Sequence, residues 1–142
     1  ALTLNYSASY AKAQYDKFEQ RPELEGADLP FAPRWKASAG LQYEKPLASG
    51  DFYARVDISW VDDSNVDSNL DPRNEQNDYA YGNLKFGWRN DSLDVSVWGK
   101  NVTDQDWMNQ AAPASVLSSL AGDQQAFMNA PRAYGATVRY NF

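Results

Sequence analysis

Five aspartates, Asp62, Asp63, Asp67, Asp71 and Asp78, fall within one polar stretch of the chain. Carboxylates crowded on a loop are the raw material of a calcium site. Their spacing departs from the EF-hand, because no mid-loop glycine or terminal glutamate stands where that loop needs them. The competing reading is a solvated acidic surface loop. A second set, Trp107, Met108, Phe127 and Met128, gathers large apolar side chains in another long polar stretch, placed either to contact a ligand or to pack loop against loop. Catalysis is poorly provided for. The chain has no Cys and no His, which removes disulfides, thiolate metal sites, cysteine nucleophiles and the usual general base. No phosphate-binding glycine loop, nucleophile elbow or metal-binding helix motif occurs. An enzyme would have only carboxylates, Lys and Tyr to work with, so no catalytic residue, cofactor or resident metal is expected. The net charge is −6, with 13 basic residues scattered among 19 acidic ones. Nucleic acid is therefore not an expected partner.

The elements that must carry these loops are strands. In 142 residues, hydrophobic residues make up 43 % and aromatics 14 %, with nine Tyr and five Trp, yet the mean hydropathy is −0.67. That mixture suits surfaces greasy on one side and wet on the other. Six segments alternate with period two, about 2–15, 34–44, 51–61, 79–89, 92–100 and 132–142. Trp35, Ala37, Ala39, Leu41 and Tyr43 oppose Lys36, Ser38, Gln42 and Glu44; Phe52, Ala54, Val56, Ile58 and Trp60 oppose Tyr53, Arg55, Asp57 and Ser59. In the fifth segment Trp98 breaks the alternation. The connections alternate between short, such as Asn90-Asp-Ser92, and long, roughly 16–33, 62–77 and 101–131; the long ones hold six of the seven prolines. Short and long connections in turn are what an up-and-down meander shows when one rim has turns and the other has loops. A weak helical candidate, 115–128, lies in the last loop. No run of about 18 apolar residues exists, so no transmembrane helix is expected, and no signal peptide is visible.

Spacing supplies an independent test. Trp35 and Tyr43, Phe52 and Trp60, and Tyr134 and Phe142 each bracket an apolar face eight residues long. Eight residues span roughly 27 Å along a strand; tilted by about 40°, they cover on the order of 21 Å, close to the apolar band of outer-membrane barrels. Tyr10, Trp35, Tyr43, Phe52, Trp60 and Trp88 are thereby expected to form aromatic girdles. The fold class expected is all-β: an antiparallel up-and-down meander of about six strands, part of a transmembrane β-barrel. A soluble lipocalin-like or sandwich binding domain, with the apolar face turned inward, is the alternative.

Three stretches carry a resemblance: Trp98-Gly-Lys-Asn-Val-Thr-Asp104 with Trp107, then Pro131-Arg-Ala-Tyr-Gly-Ala-Thr-Val-Arg-Tyr-Asn-Phe142, and Pro30 to Tyr43. Together they resemble the carboxy-terminal barrel of TonB-dependent outer-membrane receptors. The resemblance implies a 22-stranded barrel occluded by an amino-terminal plug, importing scarce nutrients such as siderophores, cobalamin or glycans with energy passed through TonB. It implies residence in the bacterial outer membrane. It also implies that Tyr134, Ala136, Val138, Tyr140 and Phe142 form the signal read by the barrel assembly machinery. Six strands do not close so large a barrel. The whole of 1–142 is therefore expected to be the carboxy-terminal portion of such a receptor, with the plug and the other strands as its missing partners and outer-membrane lipid around it.

Overall fold

The computed structural model describes residues 1–114 and 122–142. Among the described residues ten strands follow one another: β1 (Leu2–Tyr10), β2 (Trp35–Leu47), β3 (Gly50–Val61), β4 (Ser64–Asn65), β5 (Glu75–Gln76), β6 (Tyr79–Arg89), β7 (Leu93–Lys100), β8 (Met108–Pro113), β9 (Gln124–Met128) and β10 (Ala133–Tyr140). Six of them form one sheet in the order β1-β2-β3-β6-β7-β10, every pair antiparallel. This is an unclosed meander of the expected class. The other four make two small hairpins, β4-β5 and β8-β9, inside the long connections.

Alternation fixes which residues share a face, and pairing then aligns those faces across the sheet. Leu4 pairs with Leu41, Leu41 with Val56 and Val56 with Leu84. Phe86 pairs with Val97, and Val97 with Ala136. Every apolar set of the six strands therefore lies on one side. The opposite side carries Thr3, Gln42, Arg55 and Lys85 in one row and Glu44, Tyr53, Gly87, Ser96 and Thr137 in the next. Trp98 belongs to this polar side with Asp94 and Ser96, so it keeps the period of its strand. The aromatic type, not the position, was the exception.

The two short turns, 48–49 and 90–92, share one rim. At the second, Asn90 Oδ1 accepts from the backbone N–H groups of Ser92 and Leu93 at 3.0 and 2.8 Å, the local bond that suits Asn to turns. Long connections occupy the other rim. The first strand ends at Tyr10 and does not run to residue 15. Beyond Tyr10 the pairing becomes irregular: Ala11 N–H donates to Arg34 O, Leu29 N–H to Ala13 O and Tyr15 N–H to Ala27 O. Pro30 and Pro33 have no N–H to give, and Phe31 sits at φ 60°, so a regular ladder cannot continue. The helical candidate 115–128 divides: 115–121 lies outside the described residues, and Gln124–Met128 is strand β9.

Candidate functional site: a two-faced wall and its loop mouth

The apolar side of the sheet is bare. Leu4 is 64 % exposed, Ile58 54 %, Val97 54 % and Val138 69 %. Burial is found instead on the polar side and among the loops: Tyr53, Ser96, Leu24, Val66, Asp67, Asn74, Asn101 and Ala111 are all shielded. A soluble lipocalin-like domain would bury the apolar face, so the distribution is the reverse of what that alternative needs. Aromatic residues frame the bare face. Tyr10 and Trp35 pack ring to ring at 4.8 Å near the loop rim, where Trp60 stands one residue before the end of β3 and Tyr134 one residue after the start of β10. Tyr43, Phe52 and Trp88 lie toward the turn rim, as do Tyr140 and Phe142, whose rings meet edge to face at 5.1 Å. Ala136 and Val138 fill the span between Tyr134 and Tyr140.

The polar side is a net of charge-assisted bonds. Arg55 donates from Nε to Asp57 at 2.8 Å and from Nη1 to Gln42 at 3.2 Å. Arg89 pairs with Glu44 at 3.0 Å, and Tyr53 donates its hydroxyl proton to Asp94 at 2.8 Å. Two aromatic side chains lie flat across neighbouring strands, and each needs a glycine beneath it. A Cβ on Gly87 would strike the Tyr53 ring, and one on Gly135 would strike Trp98. Lys85 and Arg89 flank the Tyr53 ring at 5.4 and 5.5 Å from its centre, within cation–π range. Sequence reasoning placed Gly87 within a strand and Gly135 within the last strand and its resemblance, with no packing role for either. The signal was an aromatic on the polar face with glycine on the adjacent strand.

The Lys100-Asn-Val-Thr-Asp104 stretch is a structural hinge at the loop rim. Asn101 adopts φ 47° and Asp104 φ 54°, left-handed values that Asn and Asp tolerate better than most residues. Buried Asn101 Oδ1 accepts from Gln105 N–H at 3.1 Å, and its Nδ2 donates to Gln105 O at 2.9 Å. Its own N–H donates to Asn83 Oδ1 at 3.0 Å. Replacing Asn101 with Ala removes both of its bonds to Gln105, leaving the Gln105 N–H without its acceptor and its carbonyl with Asn129 Nδ2 alone, and is expected to cost about 1–2 kcal/mol, read as a lower urea midpoint. Asp104 then pairs with Arg132 at 3.2 Å, tying the ends of the last long connection together.

Among the loops, the five aspartates do not converge. No group of three or more carboxylates able to hold a cation occurs among the described residues. Asp67 is 2 % exposed and so departs from the solvated reading: its Oδ1 accepts from Asn69 N–H at 3.0 Å and its Oδ2 from Asn74 at 3.1 Å. Asp78 accepts from the Trp60 indole at 3.1 Å. Asp71 caps the Pro72–Asn74 turn and holds Arg73. Bonds from the Arg73 side chain and backbone lower its pKa from 3.8 to about 2. A pKa lowered by folding means that the contact is present above the ordinary carboxylate range and lost as pH falls through about 2. Titrating the Asp71 carboxyl by NMR should give that midpoint, and Arg73→Gln should return it toward 3.8.

Of the four apolar loop residues, Trp107 stacks on Tyr79 at 4.6 Å and on Tyr81 at 4.9 Å, closing the loop onto the polar side of the wall. Met108 faces Met128 across β8-β9. Phe127 and Met128 stand 53 % and 52 % exposed. Trp107 is thus packed against Tyr79 and Tyr81, while Phe127 and Met128 stand exposed on β9. Arg73, which donates to Gly122 O at 2.8 Å, and Ala111 N–H, which donates to Val66 O at 2.7 Å, join the second long connection to the third.

No curated protein matches the chain. Among solved structures, the ferric yersiniabactin uptake receptor FyuA from Yersinia pestis superimposes with a TM-score of 0.79 over 99 % of this chain, at 20 % identity. The chain spans 21 % of that receptor's length. Residues 1–102 match the family described as TonB dependent receptor-like, beta-barrel. With most of the chain covered by that match, and with a meander whose apolar side is bare and whose polar side is cross-linked, the chain belongs to the family of TonB-dependent receptor β-barrels.

Proposed function

We propose that residues 1–142 form barrel wall and extracellular mouth in a receptor for active transport of a scarce nutrient across the bacterial outer membrane. The observation that carries this reading is the continuous bare apolar face of six strands, framed by aromatics at both rims. Its natural solvent is lipid, and the charged opposite side then lines the lumen. No residue is catalytic in this reading. The long connections, with Trp107, Met108, Phe127 and Met128, face the outside and share ligand recognition with a plug, which receives energy from TonB. Tyr134, Ala136, Val138, Tyr140 and Phe142 serve twice, as lipid-facing wall and as the strand read during assembly, where backbone pairing gives affinity and alternate side chains give specificity. Because FyuA is a ferric yersiniabactin uptake receptor, iron-carrying siderophores come first among the substrates to test, ahead of cobalamin and glycans.

These 142 residues contain no cysteine, so single cysteines placed in them report cleanly once any cysteine elsewhere in the receptor has been replaced. In the receptor within its outer membrane, cysteine at Asp57 or Ser59 should react with a water-soluble maleimide, and cysteine at Val56 or Ile58 only with a lipid-soluble one. Equal reaction of both pairs with the water-soluble reagent would refute the wall. A receptor-deficient strain fed ferric siderophore, cobalamin or glycan as its limiting source should lose growth on one of them and regain it with the intact gene.

A further inference from the structure

The bare face is studded with side chains except in one place. Where β6, β7 and β10 run together near the loop rim, Gly99 stands between Leu84 and Tyr134. Below it, Val97 stands between Phe86 and Ala136. Around them lies an almost wholly apolar recess of about 460 Å³, lined by Leu84, Phe86, Val97 and Ala136, with Val102 and the Tyr134 ring lying over Gly99. The hinge at Asn101 borders it. Val102 N–H donates to Gly82 O at 2.9 Å, which folds the Val102 side chain back over Gly82 and Gly99, one methyl lying 2.7 Å from where a Gly99 Cβ would stand. Val102 thereby bounds the recess on its β6–β7 side, and the recess stays open along the wall and toward the rim at Tyr134. Above Tyr134 sits the Arg132–Asp104 pair, with Arg132 43 % exposed.

We propose that this recess is a binding groove for one acyl chain of a membrane lipid, with Arg132 at its mouth toward the lipid's phosphate. The proposal rests on the lipid-facing reading of the wall. The groove is continuous with that wall and opens along it, so the occupant is a lipid tail and not a water-soluble ligand. Its depth and the cation beside it distinguish it from the flat wall around Ile58, where lipid is held by area alone. A guanidinium is suited to phosphate oxygens, and Asp104 would yield its place to them.

The test uses the whole receptor in vesicles of phosphatidylglycerol containing a small fraction of the same lipid with a photoreactive diazirine on its acyl chain. Labelled residues are mapped by mass spectrometry. Label should concentrate on Leu84, Phe86 and Ala136, several-fold above Ile58 and Leu4. Filling the groove by Val97→Phe, or independently by Leu84→Trp, should abolish the excess, whereas Ile58→Phe should leave it. Arg132→Gln should reduce it for phosphatidylglycerol. Folding of each variant is checked by heat-modifiable gel mobility. Uniform label over the wall would overturn the groove and leave the wall intact. Cross-links to a second copy through the groove would also overturn it, in favour of a barrel–barrel contact. Absence of label on both groove and wall would refute the lipid-facing reading itself.

Discussion

Arginine in place of Val56 is expected to cost about 2–4 kcal/mol of folding free energy in a bilayer. Val56 lies at the middle of β3, on the bare side, flanked by Leu41 and Leu84 on the neighbouring strands. A guanidinium there has no partner within the sheet and must either lose its hydration or drag water into the apolar layer. One residue away, Arg55 occupies nearly the same depth at no such penalty, because it points to the polar side and binds Asp57 and Gln42. The contrast makes face, not composition or depth, the variable tested. Equilibrium urea titrations of the receptor refolded into lipid vesicles should separate Val56→Arg from the native protein by that amount. Ser59→Arg, on the polar side, should fall within about 1 kcal/mol of native, as lumen substitutions do. Equal costs for the two would sink the lipid-facing assignment, and so would a Val56→Arg variant as stable as the native protein.

That prediction was accessible before any coordinates, since parity alone puts Val56 with Ala54 and Ile58. Period-two alternation is a local property of each strand, and it survives wherever one face meets a uniform solvent. The register was not accessible in the same way. Nothing in the strand around Leu41 says that it pairs with Leu4 on one side and Val56 on the other; that depends on short turns and on the summed fit of whole faces. The loops were least legible. Ser64–Asn65 and Glu75–Gln76 are strands of two residues each, too brief to show any period. Asp67 looks like its solvated neighbours in sequence, and is buried because Asn69 and Asn74 happen to fold around it. Asn101 stood inside the stretch that carried the family resemblance, but its role came only with its left-handed φ of 47° and its bonds to Gln105. A motif reports that a position matters, while the reason lies in backbone geometry that composition does not encode.

The polar side holds the second large effect, at a glycine that alternation passes over. Valine at Gly87 is expected to destabilise the barrel by about 3 kcal/mol, the upper end for forcing bulk into a packed site. The Tyr53 ring lies flat over Gly87 and is only 7 % exposed. It is pinned there by the bond from its hydroxyl to Asp94 and by Lys85 and Arg89 on its flanks. A side chain at residue 87 must lift the ring, which breaks the Asp94 bond and both cation contacts together. Most residues on strand faces tolerate valine, which favours strands, so the sign of the effect runs against propensity and isolates the ring as its cause. Tyr53→Ala removes the obstacle. If the ring is responsible, the double variant Tyr53→Ala with Gly87→Val should be no less stable than Tyr53→Ala alone, a coupling of on the order of 3 kcal/mol, larger than most pairs in contact show. Additive losses would mean that the strain at residue 87 comes from the backbone, and Tyr53 would then lose its place as the side chain that dictates glycine on the adjacent strand.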